Sequence, residues 1–466
     1  MRHDIKQSWR KYHRPLIVIT VIAVVGATIL SLGKAATNTA SIELESAVLA
    51  NSSIVVDDTT ASGGKAVKFV GPTVTNGVLL GSNRPDELDS KYPEAESQLG
   101  RSLDVIRLYH GTWTNTFAKE LSYANQGKIV HTSYKLWSNW KQVSDDLRTA
   151  GSLKRTEVET MAVAMQTQMP GPHFLTLHHE PEDDVNATLG QSEQDYSDMV
   201  CAFRDVFRLK GNTKTKFTVA AVRENYFSDK SLGAKLYPGD QCLDWQGADS
   251  YNFFTDEKLS NWRTFAQGIK NLNNDGSPRI ASGWYQWATR DFTGQSCTIL
   301  NNPTCYGKVR RLNGTIEPKQ AKGKLPIILG EWGTVEYYPC VSTGCNTPHG
   351  GDPTKKAAWF RQSLKDLQNE LQQIKIVQHW GAISVSSKST FHCFGNDTRF
   401  NTTLPANLDC SISLANLPTS YTGSSFLAFK EISLDPFLYL TKGLAEGTAT
   451  SPAAQKRFDY VNLLSQ

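Results

Sequence analysis

Residues 173–180 read HFLTLHHE, and residues 325–331 read LPIILGE. Each stretch is a short, largely apolar run that ends in a glutamate. Such runs are typical of strands that are buried on both faces of a parallel sheet. Ligands of α/β proteins bind beyond the carboxyl ends of the strands, so these two stretches bear on both fold and function.

The same pattern recurs along the chain from residue 77 onward. Six further apolar runs lie at residues 77–82, 103–110, 128–134, 216–222, 243–251 and 375–381. Segments of helical period separate the runs, among them residues 156–166, 196–210, 262–272 and 355–371. Eight strands alternating with helices predict an α/β fold, a (β/α)8 TIM barrel over residues 75–466. An open doubly wound sheet is the alternative, but no GxGxxG follows the first run, so its nucleotide-binding form has no support.

The N-terminal residues 1–35 predict export. The chain of 466 residues has a net charge of +4, and residues 1–15 account for all of it with five basic residues and one acidic residue. The uncharged residues 16–32, LIVITVIAVVGATILSL, follow directly. This order predicts a cytoplasmic N-terminus and either a signal-anchor helix or a signal peptide that is cleaved after Ala35. We therefore expect an extracellular protein that is either membrane-anchored through this helix or secreted.

The rest of the chain is electrically neutral, since 44 basic residues balance 44 acidic ones. A neutral body argues against a nucleic-acid partner, which usually requires a basic surface. Apolar residues make up 39% and aromatic residues 10% of the chain, which excludes disordered and collagen-like classes. A neutral polymer is the kind of partner that this composition favours.

The eight cysteines agree with export. Six of them form close pairs along the chain, namely Cys297/Cys305, Cys340/Cys345 and Cys393/Cys410. In an exported chain such pairs predict disulfides within loops, and Cys201 and Cys242 are left to bridge neighbouring elements. Zinc is a weak alternative, because no pair has CxxC spacing.

Residues 36–74 form a short β-rich segment or linker between the N-terminal run and the barrel. Residues 61–69, ASGGKAVKF, resemble a strand-turn-strand signature of β-sandwich carbohydrate-binding modules. The segment is too short to bury a core of its own. Sugar binding here and a plain hairpin-like linker both remain open.

Two glutamates end barrel strands. Glu180 ends the fourth predicted strand and Glu331 the seventh, so in a barrel both would lie at the same mouth. Cleavage of a glycosidic bond needs two such carboxyl groups, one to protonate the leaving oxygen and one to attack or to activate water. Alone, each glutamate also fits a solvated loop residue. Metal binding by the neighbouring histidines is the other alternative, but the HExxH spacing is absent.

The motifs around these glutamates carry a resemblance to a known family. HHEPE at residues 178–182 and GEWG at residues 330–333 resemble retaining barrel glycosidases, and the histidine before the first glutamate is similar to glycoside hydrolase family 26, the β-mannanase family. The resemblance covers roughly residues 77–435. It implies that Glu180 is the general acid/base and Glu331 the nucleophile. The chain departs from the family pattern directly after Glu180, where PEDD replaces a small or glycine-containing turn.

The resemblance also implies substrate-binding residues around the two glutamates. His179 would bond near the nucleophile or the sugar, and Tyr251 would donate a hydrogen bond to the nucleophile. Arg107 would hold the nucleophile ionised by its charge; a buried arginine that closes a barrel salt bridge is the structural alternative. His110 would line the pocket.

Aromatic residues near the predicted strand ends are candidates for stacking on sugar rings. These are Trp113, Trp137, Trp284, Tyr285, Trp287, Trp332 and Trp380. Of these, Trp380 ends the eighth strand and is the candidate platform under the reacting sugar, while filling of hydrophobic space is the alternative for each. Acidic residues that flank the motifs are expected to be rim or solvated loop residues: Glu182, Asp183, Glu224 and Glu336.

The sequence therefore predicts a glycoside hydrolase that cleaves a β-linked polysaccharide by the retaining double displacement. The resemblance to the β-mannanase family implies a mannan-like substrate as first choice. We expect a monomer that uses no cofactor and no metal. A non-catalytic carbohydrate-binding or cell-envelope barrel is the alternative function, and a metal-dependent barrel enzyme is a third class.

Overall fold

The computed structural model divides the chain into two compact units, Met1–Val74 and Thr75–Gln466. It describes residues 53–57, 65–69, 76–83, 92–114, 116–136, 139–222, 232–252, 262–273, 276–277, 283–290, 307–334, 353–381, 383–384, 390–391, 394–396, 409–413 and 424–466. In the first unit, β1 (Ser53–Asp57) and β2 (Lys65–Phe69) pair as an antiparallel hairpin.

An eight-stranded parallel sheet forms the centre of the second unit. Its strands are β3 (Leu79–Asn83), β4 (Val105–His110), β5 (Ile129–Tyr134), β6 (His173–Leu177), β7 (Thr215–Thr218), β8 (Gln246–Asn252), β11 (Ile327–Thr334) and β12 (Ile374–Trp380). They are hydrogen-bonded in the order β7-β6-β5-β4-β3-β12-β11-β8. The edge strands also meet, because Val222 just beyond β7 bridges Asp249 of β8 in parallel. Eight parallel strands in this order fit the predicted (β/α)8 barrel.

Helices lie between successive strands of the sheet, and the last two helices follow β12. They are α1 (Tyr92–Leu99), α2 (Ala118–Asn125), α3 (Trp140–Arg148), α4 (Leu153–Gln168), α5 (Glu193–Leu209), α6 (Leu232–Leu236), α7 (Phe265–Ile269), α8 (Trp284–Ala288), α9 (Pro353–Asn369), α10 (Ser425–Ser433) and α11 (Pro452–Leu464). Side-chain oxygens cap several of their first turns. At α5, Ser192 and Asp195 form a reciprocal capping box, which satisfies backbone N–H groups that have no partner inside the helix.

Short strand pairs lie outside the barrel sheet. They are β9 (Lys308–Arg310) with β10 (Ile316–Pro318), β13 (Ile383–Ser384) with β14 (Thr390–Phe391), and β15 (Phe394–Asn396) with β16 (Asp409–Ser413). The β9–β10 hairpin is tied to α5, because Arg311 forms two hydrogen bonds with Asp205 at 2.9 and 2.5 Å. The predicted Cys201–Cys242 disulfide is present between α5 and the turn before β8.

The near-continuous apolar runs become strands that are buried on both faces. Every residue of β5 and of β6 is buried, because side chains on one face fill the barrel and those on the other face pack under the helices. Glycines allow close approach within the sheet: a Cβ on Gly247 would lie 2.3 Å from the carbonyl oxygen of Val219. The apolar runs therefore account for the buried position of the barrel strands.

The amino-terminal end of the barrel is closed by the C-terminal helix α11 and by one buried carboxylate. Asp104 accepts hydrogen bonds from Arg457 at 2.7 Å, from Arg101 at 2.5 Å and from the backbone N–H of Leu80 at 3.1 Å. All three side chains are buried. Burial by itself raises the pKa of Asp104, but the two guanidinium groups and the hydrogen bonds outweigh it and hold the pKa below its usual value.

Several predicted features lie outside the described residues: the apolar run 16–32, the cysteines 297, 305, 340, 345 and 393, and the side chain of Cys410. Among the helices that are described, none combines the length and the apolar character needed to cross a bilayer. The predicted membrane segment therefore stays a prediction.

We expect the substitution Asp104→Asn to lower the free energy of unfolding by about 3–5 kcal/mol, because it takes from the buried Arg101 its carboxylate partner and from the buried Arg457 one of two, the other being Glu446. The control is Asp146→Asn, which breaks the part-exposed contact with Lys154 at 3.1 Å and should cost at most about 1 kcal/mol. Urea unfolding at neutral pH measures both values.

The pH dependence of the same experiment has a defined sign. The pKa of Asp104 is lower in the folded state, so its stabilisation is present above the unfolded-state pKa and is lost as the pH falls through the acid range. The gap between Asp104→Asn and wild type should shrink on acidification. If Asp104→Asn and wild type are equally stable at neutral pH, the buried Asp104 carboxylate does not stabilise the amino-terminal end of the barrel, and this account is wrong.

Candidate active site

The residues after β6 form a tight turn at the carboxyl edge of the sheet. His178 and Glu180 have positive φ angles of 58° and 48°, which are unusual for residues other than glycine. The backbone N–H of His178 donates to the carbonyl of Tyr134 on β5 at 2.7 Å, and the N–H of Glu180 donates to the carbonyl of Ala220 beyond β7 at 2.8 Å. These bonds to both neighbouring strands hold the turn that carries Glu180.

Glu331 lies within β11, directly after Gly330. It is 3% exposed, whereas the side chain of Glu180 is 29% exposed. A Cβ on residue 330 would lie 2.5 Å from Nη1 of Arg107 and 2.7 Å from Oδ1 of Asp249. Glycine at this position therefore leaves the space that the arginine occupies beside Glu331.

Three side chains contact one oxygen of Glu331. Its Oε1 accepts a hydrogen bond from the hydroxyl of Tyr109 at 2.6 Å, and it lies 3.1 Å from Nε2 of His179 and 3.5 Å from Nη1 of Arg107. The ring of Tyr109 also meets the rings of His179 and Trp380 edge to face, with centroids 5.5 and 6.4 Å apart. Glu331 is therefore held in one position by groups that favour its ionised form.

Arg107 is the shared partner of these groups. Fully buried on β4, it reaches Oδ1 of Asp249 at 3.3 Å, Oγ of Ser133 at 3.2 Å and Nδ1 of His179 at 2.8 Å. Because the guanidinium donates to Nδ1, this histidine nitrogen acts as an acceptor and Nε2 carries the proton that faces Glu331. The predicted charge contact with Glu331 and the structural alternative, a buried barrel salt bridge, are thus both present.

The two predicted catalytic carboxyl groups lie close together. One donor atom from each of His179, Glu180, Asp249 and Glu331 can be chosen so that all four atoms lie within 4.8 Å of one another. The distance between one oxygen of Glu180 and one oxygen of Glu331 is therefore at most 4.8 Å.

The same four donors are spaced as ligands of a metal ion would be. Arg107 already places its positive charge 3.3 Å from Asp249 and 3.5 Å from Glu331, and like charges repel at such distances. The arrangement therefore suits a proton shared among carboxyl groups better than it suits a cation.

Burial raises the pKa of each carboxyl group in this cluster. Burial, with smaller additions from Asp249 and Glu331, raises the pKa of Glu180 to about 7 against the opposing effect of His179. Burial and then Glu331 raise the pKa of Asp249 to about 7. Burial also raises the pKa of Glu331, and Arg107 and the bond from Tyr109 counteract it. Glu180 can therefore keep a proton near neutral pH, whereas Glu331 has the donors that favour ionisation.

Tyr251 and His110 lie near the cluster in different ways. Tyr251 is buried on β8 beside Gly333 of β11, and its predicted donation to Glu331 stays a prediction. His110 lies at the end of β4, where Nε2 is 2.6 Å from Glu120 and the ring stacks on Tyr134 at 4.7 Å. Its role in lining the pocket also stays a prediction.

The structure corrects two of the predicted sugar platforms. Trp332 is fully buried and packs against Trp359 and Phe265, since it follows Glu331 on the strand and so faces the helix layer. Trp287 is 2% exposed on α8 and packs edge to face against Tyr237. Neither ring has an open face for a sugar.

The remaining aromatic candidates differ in burial and in their contacts. Trp284 is fully buried on α8, and Tyr285 accepts a bond from the backbone N–H of Gln373. Trp113 is partly buried against Tyr134, and Trp137 lies outside the described residues. Trp380 is partly exposed and meets the ring of Tyr109, the donor to Glu331, edge to face, and its predicted role as a sugar platform stays a prediction.

Three residues in or beside the cluster were missed or misjudged from the sequence. Tyr109 follows Arg107 by two positions on β4, and Asp249 precedes Tyr251 by two on β8; a period of two places such pairs on one face of a strand, so this signal was available. Glu182 was expected to be a rim or solvated loop residue, but it is 7% exposed and accepts a hydrogen bond from the N–H of Val222 at 2.6 Å. Asp183 is exposed, as expected, and Glu224 and Glu336 lie outside the described residues.

Comparisons with known proteins give limited similarity. No family model matches the chain. Similar solved structures include a GH26 β-mannanase of Bacteroides ovatus (13% identity, 78% of this chain and 90% of that one, TM-score 0.41) and the GH26 domain of an endo-β-mannanase/endo-β-glucanase of Prevotella bryantii (12% identity, 67% and 86%, TM-score 0.36). Both belong to the family that the two glutamate motifs resemble.

A curated relative matches over a smaller part of the chain. Endoglucanase H of Acetivibrio thermocellus is 25% identical over 202 residues, which is 41% of this chain and 21% of that protein. The chain thus spans about a fifth of the length of the curated relative it matches.

We expect Gly330→Ala to destabilise the folded protein by about 1–3 kcal/mol, because the added methyl group displaces the buried guanidinium of Arg107. Gly111→Ala is the matched control: a Cβ there meets no atom within 4 Å, so the change should stay within about 0.5 kcal/mol. Chemical denaturation of both variants measures the difference, and equal stability would show that the space beside Arg107 is not needed.

Proposed function

We propose that the chain is a glycoside hydrolase that cleaves a β-linked polysaccharide, mannan-like as first choice, with retention of configuration. The observation that carries the proposal is the pairing of Glu180, in the turn after β6, with Glu331, within β11; an oxygen of one lies within 4.8 Å of an oxygen of the other. Retaining glycosidases hold their two carboxyl groups about 5–5.5 Å apart, and inverting ones about 6.5–9.5 Å.

In the first step, an oxygen of ionised Glu331 attacks the anomeric carbon while Glu180 donates its proton to the glycosidic oxygen. The bond from the anomeric carbon to that oxygen breaks, the leaving chain departs as an alcohol, and a glycosyl ester forms on Glu331. Glu180 is left as a carboxylate. Its pKa of about 7 lets it enter this step as an acid near neutral pH.

In the second step, Glu180 accepts a proton from water as the water oxygen attacks the anomeric carbon. The ester bond breaks and Glu331 leaves as a carboxylate. Esterification removes the negative charge of Glu331, which is one of the charges that raise the pKa of Glu180. Glu180 therefore becomes a stronger acid in the intermediate, and its conjugate base is available to activate water.

The residues around Glu331 stabilise its charge when it acts as nucleophile and leaving group. Tyr109 donates to Oε1, and Arg107 and His179 lie within 3.5 Å of the same oxygen. Such fixed donors in a buried site lower the energy of developing charge without reorganisation. We assign Tyr109 to this role together with Arg107 and His179.

Support for a neutral β-linked glycan comes from several sides. The HHEPE and GEWG motifs resemble the β-mannanase family, and similar solved structures are named β-mannanases. The body of the chain carries no net charge. Trp380 is partly exposed beside Tyr109, and we assign it to stacking on a sugar ring.

We also propose that the protein acts outside the cytoplasm. The basic residues 1–15 and the uncharged residues 16–32 support export, as does the Cys201–Cys242 disulfide. A C-terminal fusion to alkaline phosphatase, which is active only when exported, should be active for the full chain and inactive once residues 1–35 are deleted. Activity confined to the deletion variant would contradict export.

We expect wild-type protein to release reducing ends from β-mannan in a panel that includes β-glucan and xylan. Glu331→Ala and Glu180→Ala should each lose activity by about 10³-fold or more, since each removes one of two cooperating groups. The control is Asp183→Ala, an exposed neighbour that should retain at least about a third of wild-type kcat. Binding of a glycan without hydrolysis by wild type would favour the alternative, a carbohydrate-binding barrel.

The pH dependence should follow the proton on Glu180. Because the acid must be protonated at a pKa of about 7, kcat/KM should fall as the pH rises through about 7. With a substrate whose leaving group needs no protonation, the alkaline loss of the glycosylation rate should disappear. An unchanged alkaline limb with that substrate would assign the limb to another group.

A further inference from the structure

We propose that Glu182 is a positioning residue for Glu180, because it fastens the loop that carries Glu180 to the end of β7 and thereby sets where the Glu180 carboxyl lies over Glu331. This inference rests on the proposed function in one respect, the acid/base role of Glu180. The contacts that support it are structural and come from three parts of the loop.

The backbone of the loop is held in an unfavourable conformation. His178 and Glu180 both have positive φ, which costs about 1–3 kcal/mol per residue and persists only where surrounding contacts enforce it. Between Glu180 and Asp184 the chain makes a short 3-10 turn that begins at Pro181. The position of the Glu180 carboxyl thus depends on what holds this turn in place.

One side of the turn is tied to β5 and α3. His178 lies 2.8 Å from Asp184 through Nε2 and accepts a hydrogen bond from the indole of Trp140 at 3.2 Å. Lys135, one residue beyond β5, lies 3.0 Å from Asp184. These contacts hold His178, before the turn, and Asp184, at its end, against β5 and α3.

The other side of the turn is tied to β7 by Glu182. Its Oε1 accepts the N–H of Val222 at 2.6 Å, two residues beyond Ala220, whose carbonyl accepts the N–H of Glu180. The same Val222 forms the bridge to Asp249 that joins the two edges of the sheet. Glu182 therefore links the acid/base loop to the position where β7 meets β8.

The surroundings of Glu182 fit a positioning role better than they fit a position at the pocket rim. Its side chain is 7% exposed, and burying a carboxylate costs several kcal/mol unless hydrogen bonds offset it. A bond from a backbone N–H to a carboxylate is charge-assisted and about twice as strong as a neutral one. Of the other two acidic residues of the turn, Asp183 is exposed and Asp184 is half-buried, so Glu182 is the acidic residue that the turn buries.

Loss of this bond would free the turn on the β7 side. Glu180 could then leave the positive-φ region and rotate toward solvent, away from Glu331. Because burial is the main cause of its raised pKa, the pKa of a displaced Glu180 would fall. Misplacement of a catalytic group by about 1 Å costs on the order of 100-fold in rate, so turnover should respond more than substrate binding.

The test compares Glu182→Met, which keeps the length and removes the acceptor, with Glu182→Gln, whose amide oxygen still accepts the N–H of Val222. We expect the Met variant to lose about tenfold to 100-fold in kcat with KM nearly unchanged. Its alkaline limb should shift to lower pH. The Gln variant should recover kcat to within about threefold of wild type and restore the alkaline limb.

The matched control is Asp366→Leu. Asp366 is a buried carboxylate on α9 that accepts the backbone N–H of Ala266 at 2.8 Å, so its loss tests the stability cost of such a bond at a distance from the glutamates. The control should lower thermal stability while kcat and the pH profile stay as in wild type.

Two kinetic outcomes would overturn the proposal. One is a Met variant with wild-type kcat and pH profile. The other is a Gln variant as impaired as the Met variant. If wild type hydrolyses no glycan, the proposed function fails, and crystal structures of the two variants then decide the positioning alone. The inference predicts that residue 180 leaves positive φ in the Met variant and keeps it in the Gln variant; an unmoved loop in both would overturn it.

Discussion

The buried guanidinium of Arg107 is the interaction on which the site depends. A fully buried arginine is tolerable only when its charge is balanced and its N–H groups are bonded. Asp249, Glu331, Ser133 and His179 provide that balance at distances of 2.8–3.5 Å. Ser133, Asp249 and Glu331 lie on three other strands and His179 lies in the turn after β6. The charge balance therefore needs these elements in place around β4 and no side chain at residue 330.

The same arrangement gives the two glutamates different properties. Glu331 is buried on β11 beside Arg107 and Tyr109, whereas Glu180 lies in the turn after β6 and is partly exposed. Two carboxyl groups this close are not readily ionised together, because their negative charges repel. The proton therefore stays on Glu180, which has fewer positively charged and donor groups around it than Glu331. Proximity and unequal surroundings thus assign the acid and the nucleophile from one cluster. The strained turn after β6 maintains this separation.

Sequence reasoning located the barrel well because apolar runs report burial directly. All eight expected runs coincide with strands to within a few residues. The strand ends were less well predicted, because β6 ends three residues before Glu180 and β11 continues three residues past Glu331. The direction of side chains was harder to predict. Trp332 was expected at the barrel mouth, but side chains alternate along β11 and Trp332 faces the helix layer. Tyr109 and Asp249 were missed although they follow the strand period. The burial of Glu182 could not be expected, because it depends on the end of β7 lying next to the turn.

The central claim, that Glu331 is the nucleophile of a retaining mechanism, is tested most directly by trapping its ester. A 2-deoxy-2-fluoro glycoside with an activated leaving group slows hydrolysis of the intermediate, and mass spectrometry of a proteolytic digest locates the attached sugar. The account predicts one fluorosugar per chain, attached to Glu331, with Glu180 unmodified. A sugar attached to Glu180, or inversion of the anomeric configuration without any adduct, would contradict it.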